Sequence, residues 1–120
     1  MAVRAIRGAT TLEIDERDHL HQRTQELVEA ILRENSLTPD DVISAFFTCT
    51  PDITSDFPAA AARQLGFGAV PLMCGQEMAV PGALQQVVRV MMHIETEASR
   101  DQIVHVYLHD AVSLRRDLAQ

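Results

Sequence analysis

The chain contains 120 residues, a length that suits one domain and leaves little room for a second. Hydrophobic residues make up 47% of the chain, which excludes a disordered polymer and provides enough apolar surface for a core. The net charge of −7 at pH 7 argues against nucleic acid or an anionic membrane as the main partner, because both repel an acidic surface.

The lack of a recognisable targeting signal and the setting of the cysteines predict a cytoplasmic protein. No apolar run approaches the roughly 20 residues that a membrane-spanning helix needs, and the N-terminal sequence lacks the apolar stretch of a secretory signal. Cys49 and Cys74 each lie in an apolar, strand-like run, which is typical of reduced, buried thiols in a cytosolic protein. We predict that this protein forms a single domain over residues 1–120.

The first half of the chain predicts two strands and two helices in alternation. If residues 3–12 are extended, Arg7 falls on a face of mainly small residues. Apolar residues recur at helical spacing over residues 15–34, which predicts the first helix. The run 42–49 is almost continuously apolar, as in a strand that is covered on both faces, and residues 57–65 predict a second helix.

The second half of the chain predicts a strand, a third helix, another strand, a short return strand and a mobile tail. In the third helix, apolar residues at helical spacing form a stripe, and Arg89 lies beside that stripe. The residues of the stripe are Leu84, Val87, Val88 and Met91. The predicted strand spans residues 67–74, the third helix 81–95, the next strand 103–108, the return strand 111–114 and the tail 114–120.

This alternation of elements predicts an α+β domain, with a mixed β-sheet and helices packed on one of its faces. Helices on one face leave the opposite face of the sheet open, and that face carries apolar residues. A small domain commonly hides such a face against copies of itself, so we expect a homo-oligomer.

Several kinds of site find no support in the sequence. His19 and His21 do not share a helix face, and no set of cysteines or carboxylates is spaced around His105 and His109 to complete a metal site. Cys74 has no histidine base at a known spacing, and no glycine-rich phosphate loop is present. We therefore predict neither a metal ion nor a cofactor.

A set of arginines is the remaining candidate for a site. Glu77 and Arg89 by themselves are typical of a surface ion pair, and Arg7 by itself could reach a strand end or pair with a core acid. An arginine cluster nevertheless runs against the negative charge of the chain and favours an anion-binding pocket. The residues considered for this pocket are Arg7, Arg63, Cys74, Glu77, Arg89, Tyr107 and Arg115.

Four segments, in order and over nearly the whole chain, resemble the monofunctional, trimeric class of chorismate mutase with a pseudo α/β-barrel. They are RAIRGATT at 4–11, TPDITSDFPAAAAR at 50–63, CGQEM at 74–78 with VRVMM at 88–92, and HVYLHDAVSLR at 105–115. The resemblance implies a cytoplasmic homotrimer with active sites at subunit interfaces. It also implies cofactor-free rearrangement of chorismate to prephenate, on the way to phenylalanine and tyrosine.

The resemblance further implies a role for each matching residue. Arg89 donates to the ether oxygen of the breaking C–O bond, and Arg7 holds a substrate carboxylate together with Tyr107. Glu77 and Cys74 bind the ring hydroxyl. These five residues form the inner site, and Arg89, Glu77 and Arg7 are its catalytic members.

The resemblance assigns an outer set of residues as well. The backbone of Met73, Cys74, Gly75 and Gln76 lines the pocket wall, Phe57 and Arg63 approach from a neighbouring subunit, and Leu114 and Arg115 belong to a tail that closes the site. The sequence departs from the family in this outer region. Ala60 stands where the family carries a lysine, Arg116 stands where a proline is more usual, and the tail ends early.

Two other functions compete with this interpretation. An imine or enamine hydrolase of similar pseudo-barrel fold would share an arginine at a subunit cleft, but it has no reason to keep both Glu77 and Arg89 around a ring-sized cavity. A regulatory trimer that binds an aromatic metabolite without catalysis needs most of the same residues, so the sequence leaves it open.

Overall fold

The computed structural model describes residues 1–117, with the side chains of residues 1–115, and contains five strands, two α-helices and several 3₁₀ and π-helical segments. The strands are β1 Ala2–Thr11, β2 Val42–Cys49, β3 Leu72–Gln76, β4 Val87–Thr96 and β5 Val106–Tyr107. The helices are α1 Arg17–Glu34 and α2 Pro58–Ala62, and a π-helical turn over Arg63–Phe67 extends α2. The 3₁₀ segments span Pro39–Asp41, Arg100–Gln102 and His109–Asp117.

The five strands form one mixed sheet in the order β3-β2-β4-β1-β5. The central strand β4 runs antiparallel to both of its neighbours, β1 and β2. The two edge strands are parallel to theirs, since β3 pairs with β2 and β5 pairs with β1. The predicted α+β fold with a mixed sheet is thereby confirmed.

Both helices lie on one face of the sheet, which we call the inner face. Alternate side chains of the strands, such as Ile6, Phe47 and Met92, are fully buried there against Leu27 and Ile31 of α1. This burial of apolar area supplies the main driving force for folding. The prediction of helices on one face of the sheet is correct.

The opposite, outer face of the sheet carries large apolar side chains that no element of the described chain covers. Val3 is 58% exposed, Phe46 41%, Met73 65% and Met91 36%. They lie on four different strands, so the exposed apolar surface extends across the sheet. An apolar surface of this kind is typical of an interaction site.

The predicted third helix over residues 81–95 is wrong, because its second half is the central strand β4. In β4, Val88 and Val90 are buried whereas Arg89 and Met91 are exposed, which is the two-residue period of a strand. Leu84, which seemed to continue a helical stripe, lies in the preceding loop. Backbone pairing with β1 and β2 on both sides of β4 outweighs the helical spacing of a few apolar residues.

The other errors concern element ends. The third strand spans 72–76 instead of 67–74, the strand predicted at 103–108 shrinks to two residues, and a 3₁₀ segment replaces the return strand over 111–114. These segments lie at the edges of the sheet and have few pairing partners, so the local sequence pattern alone did not predict their ends correctly. Of the tail predicted over 114–120, residues 118–120 lie outside the described residues. Among the described residues, no helix has the length and hydropathy needed to cross a membrane.

Gly8 provides a test of how closely α1 packs on β1. A Cβ atom at this position would lie 2.7 Å from Cδ1 of Ile31 and 3.2 Å from Cδ1 of Leu27. We expect Gly8→Ala to lower the free energy of unfolding by about 1–3 kcal/mol through overpacking, measured by urea unfolding at a fixed protein concentration.

Gly68→Ala is the matched control, since a Cβ there meets no atom within 4 Å and the backbone is already in the right-handed helical region. It should leave the free energy of unfolding unchanged or raise it slightly. Equal urea midpoints for the two variants would contradict the close packing of α1 on β1.

Candidate active site

Five residues, one from each strand, form a row across the outer face of the sheet. Arg89 in β4 pairs with Ala9 in β1 on one side and with Thr48 in β2 on the other. Thr48 in turn pairs with Gly75 in β3, and Ala9 pairs with Tyr107 in β5. Because paired residues point to the same face of a sheet, Arg89 lies at the centre of this row between two small side chains.

Glu77 lies beside this row and is held in place by β2. Its backbone N–H donates to the Cys49 carbonyl oxygen at 2.9 Å, which continues the ladder between β2 and β3 by one residue. The Thr48 hydroxyl donates to Oε2 of Glu77, and Nε of Arg89 lies 3.9 Å from the same oxygen. The Glu77 carboxylate is therefore fixed by a strand residue and stands next to the guanidinium.

The Arg89 guanidinium remains available to a ligand. Its side chain is 47% exposed, and among the side chains of residues 1–115 and the described backbone no group accepts a hydrogen bond from it. At 3.9 Å, Glu77 acts through charge and leaves the N–H donors unused. An arginine in this state can present its planar fork to an anionic oxygen.

A cavity of about 180 Å³ opens at the row. Its charged lining consists of Arg7, Arg89 and Glu77, so two cations face one anion in a chain whose net charge is negative. Within the described part of the chain, Arg7 has no acidic side chain at ion-pair distance. Tyr107 closes the β5 side of the cavity. The structure thus brings together the four side chains that the sequence analysis assigned to carboxylates, hydroxyl and ether oxygen.

Cys74, the fifth predicted member of the inner site, points the other way. It pairs with Phe47, whose side chain is fully buried on the inner face, so the Cys74 side chain also faces the helices. Only its backbone can contribute to the cavity around Arg89. A one-residue shift along a strand reverses the face, and for this reason neighbours in sequence need not line the same pocket.

A second cavity, of about 470 Å³, lies between the end of β3 and the loop that leads into α2. It is lined by Cys74, Gly75 and Gln76 on one side and by Phe57 on the other. Phe57 is 67% exposed. The structure therefore separates Phe57 from the Arg89 cavity within one chain.

The remaining predicted residues lie at the periphery. Arg63 is exposed at the end of α2, and Met73 is 65% exposed on the outer face of β3. Leu114 packs, partly buried, against Ala9 of β1, while Arg115 is exposed. Leu114 thus brings the C-terminal segment against the β1 residue that lies between Arg89 and Tyr107 in the row.

The sequence analysis missed two residues that support the site. Thr48 is a polar residue within an apolar strand, and that contrast was the only local signal of its contact with Glu77. His105 accepts the backbone N–H of Arg7 at Nδ1, at 2.9 Å, a contact between residues 98 positions apart that no local pattern reveals.

The start of β4 is also fixed by polar contacts that the sequence did not indicate. Asp52 accepts the backbone N–H of Gln86, whose φ is 56°, and the Thr50 hydroxyl accepts the N–H of Val87. Burial raises the pKa of Asp52, but hydrogen bonds from Thr50 and Gln86 outweigh it and hold that pKa below 3.8. These contacts anchor the strand two residues before Arg89.

The environment of Cys49 and the spacing of the metal-ligating side chains bear on two other kinds of chemistry. Burial raises the pKa of the Cys49 thiol to about 12, so this thiol stays protonated and unreactive at neutral pH. Among the side chains that the structure describes, those of residues 1–115, no group of three or more His, Cys, Asp or Glu is arranged to hold a metal ion.

Comparisons with known proteins are consistent among themselves. The family model described as "Chorismate mutase type I" matches residues 3–118. The chain is 47% identical over 120 residues to the chorismate mutase AroH of Bacillus subtilis (strain 168), covering 99% of this chain and 94% of that protein. It is 45% identical over 117 residues to AroH of Thermus thermophilus, covering 97% and 96%. A solved chorismate mutase from Clostridium thermocellum has a TM-score of 0.89 at 44% identity, covering 91% of this chain and 97% of that one.

The contact between Arg7 and His105 predicts a pH dependence of stability. Burial and the nearby Arg7 charge lower the pKa of His105 below 6.5. The unfolded chain therefore binds a proton at a higher pH than the folded one, and the free energy of unfolding falls as the pH drops through 6.5.

We expect the wild type to lose more stability than His105→Gln between about pH 7.5 and 5.5, measured by urea unfolding at both pH values. Glutamine keeps an acceptor for the Arg7 N–H but does not titrate. Identical pH dependence of the two proteins would contradict the lowered pKa of His105.

Proposed function

Since the chain belongs to the chorismate mutase type I family, we propose that its own residues rearrange chorismate to prephenate in the cavity around Arg89. The protein is an isomerase, and this sets aside both the hydrolase and the non-catalytic regulatory alternative. The observation that carries the proposal is the cavity at the row, in which Glu77, Arg7 and Tyr107 surround Arg89.

The reaction does not require the protein to form or break bonds with the substrate. The rearrangement is unimolecular and pericyclic, so it requires no nucleophile, no proton shuttle and no cofactor. The enolpyruvyl arm must be held over the ring in a compact chair, and restricting reactants in this way removes up to about 7–11 kcal/mol in the most favourable cases. The enolpyruvyl arm of chorismate is already attached to the ring, so restricting it lowers the activation free energy by much less than that range.

Electrostatics supplies the second contribution. As the C–O bond stretches ahead of C–C closure, the ether oxygen gains negative charge and the ring gains positive character. A guanidinium fixed at that oxygen binds the transition state more tightly than the substrate. We assign this role to Arg89, because its donors are unused and its position is fixed by the central strand.

The other groups of the cavity bind the rest of the substrate. Arg7 holds a carboxylate with a planar fork, and the Tyr107 hydroxyl donates to the same group. Glu77 accepts a hydrogen bond from the ring hydroxyl. Its negative charge, 3.9 Å from Nε of Arg89, also orients the guanidinium. The backbone of residues 73–76 forms the wall of the pocket, which accommodates the inward direction of the Cys74 side chain.

We further propose that the active protein is a homotrimer whose sites lie between subunits. Phe57 and Arg63 are exposed and lie apart from the Arg89 cavity of their own chain, so they can line the cavity of a neighbour. The exposed apolar surface of the outer face supports such assembly, because it is hidden from water when copies pack together. Leu114 and Arg115 then close the site from the C-terminal segment.

The reduced state of the cysteines supports a cytoplasmic location. Cys49 and Cys74 are both free thiols in the structure. Free cysteines are typical of proteins that work in a reducing compartment, where the substrate of a biosynthetic enzyme is made and consumed.

Arg89→Lys tests the electrostatic role. We expect kcat to fall about a hundred- to thousandfold, because a compact ammonium group cannot copy the directional fork of a guanidinium. The assay follows the loss of chorismate absorbance in the ultraviolet with purified protein and no added cofactor. Arg33→Lys, in the last turn of α1, is the control and should keep wild-type kcat. A kcat near that of the wild type in Arg89→Lys would remove Arg89 from the mechanism.

A mixing experiment tests the shared site. Arg89→Ala and the double variant Phe57→Ala/Arg63→Ala are unfolded together, refolded together and assayed with chorismate. If Phe57 and Arg63 serve a neighbour's cavity, some mixed sites regain every required residue and activity rises above that of either variant refolded alone. Activity no higher than in the separate samples would show that each site belongs to one chain.

A further inference from the structure

Phe57 ends the loop over residues 50–57, which connects β2 to α2. Phe57 is 67% exposed, so packing within the chain does not fix the direction of its ring. The direction of the ring depends on the backbone that carries it, because Phe57 immediately precedes the first residue of α2. The contacts that hold the backbone of Phe57 therefore determine the direction of its ring.

One carboxylate connects that backbone to helix α1. Oδ1 of Asp56 accepts the backbone N–H of Phe57 at 2.7 Å. Oδ2 of the same residue accepts a hydrogen bond from Nε2 of His21, also at 2.7 Å. Since His21 lies in the second turn of an 18-residue helix, the chain of contacts joins a rigid element to the main chain of Phe57.

Of the two ion pairs that Asp56 makes among the described residues, the one with His21 is less exposed to solvent. The side chains of His21 and Asp56 are 12% and 20% exposed. Arg17 also approaches Asp56, at 3.4 Å, but its side chain is 65% exposed. An exposed pair of this kind contributes little because water and salt screen it. Hydrogen bonds from His21 and from the Phe57 N–H lower the pKa of Asp56, so its carboxylate is ionised and accepts at both oxygens.

We propose that His21 is a positioning residue for catalysis, which acts through Asp56 to hold the Phe57 ring in the direction that the substrate requires. The inference rests on the proposed contact of Phe57 with chorismate. A ring that is already oriented loses less conformational freedom when the substrate binds, and this favours binding. His21 touches neither the substrate nor the Arg89 cavity, so its effect falls on KM rather than on kcat.

His21→Leu removes the donor and keeps an apolar side chain in the helix. We expect KM for chorismate to rise about three- to tenfold, with kcat within about twofold of the wild type, since a sheltered hydrogen bond to a charged group is lost. His21→Gln can still place an N–H near Oδ2 of Asp56 and should restore KM to within about twofold. His21→Asn, which is too short to reach Asp56, replaces the leucine variant if that variant does not fold.

Gln25→Leu is the matched control, because Gln25 also links α1 to the α2 region. Its Nε2 donates to the Ala61 carbonyl oxygen at 3.2 Å and to Oε1 of Gln64 at 2.8 Å, without touching Asp56. If His21 merely packed α1 against α2, both substitutions would raise KM alike. We expect KM to be unchanged in Gln25→Leu, and an equal rise in both variants would overturn the inference.

The double variant His21→Leu/Phe57→Ala identifies the route of the effect. If His21 acts through the ring, adding His21→Leu to Phe57→Ala should change KM by less than about twofold, because the object that it positions is gone. Full additivity of the two KM effects would overturn the inference.

Three outcomes separate this inference from the function on which it rests. An inactive wild type would overturn the proposed function, and unchanged KM in Phe57→Ala alone would overturn the substrate contact. An active wild type with a raised KM in Phe57→Ala and an unchanged KM in His21→Leu would overturn only the role of His21.

Discussion

The pairing of β4 on both of its sides is the constraint on which the site depends. Two antiparallel ladders fix the backbone of Arg89, and the row that they create sets Thr48 and Ala9 beside it. Thr48 then holds Glu77, which faces the guanidinium at 3.9 Å. A charge that is held by the central strand of a sheet needs little reorganisation when an oxygen nearby becomes anionic, and that is the condition for electrostatic catalysis.

The proposed function gives the outer face of the sheet two roles, catalysis and assembly. Arg7 and Arg89 project from it, and Phe46 and Met91 line the same cavity while remaining partly exposed to water. In a lone chain this surface combines costly apolar exposure with two arginines that face, among the described residues, only one carboxylate, that of Glu77, across the cavity. Covering the apolar part with a neighbour would remove that exposure and would also exclude water from the charges, which strengthens their interaction with an anionic substrate.

The two halves of the proposed site differ in how they are held. The groups around Arg89 stand on strands, where backbone ladders determine their positions. Phe57 stands at the end of a loop, and polar contacts take the place of a ladder. Asp15, just before α1, accepts the N–H groups of Thr54 and Ser55, and Asp56 joins His21 of α1 to Phe57. Side-chain carboxylates thus give a loop part of the rigidity that strands have by pairing.

The sequence by itself determined the α+β class, the first helix and the first two strands, since local periodicity and the resemblance of four segments suffice for these. It also named four of the side chains that meet at the cavity, Arg7, Glu77, Arg89 and Tyr107. It misassigned β4, because Val87, Val88 and Met91 fit a helical stripe as well as a strand. Only the tertiary structure decided that Arg89 meets Thr48 and Ala9, that Cys74 faces inward, that His105 contacts Arg7, and that His21 contacts Asp56. The physical reason is that hydrogen-bond pairing in a sheet joins residues far apart in sequence, whereas periodicity reports only on neighbours along the chain.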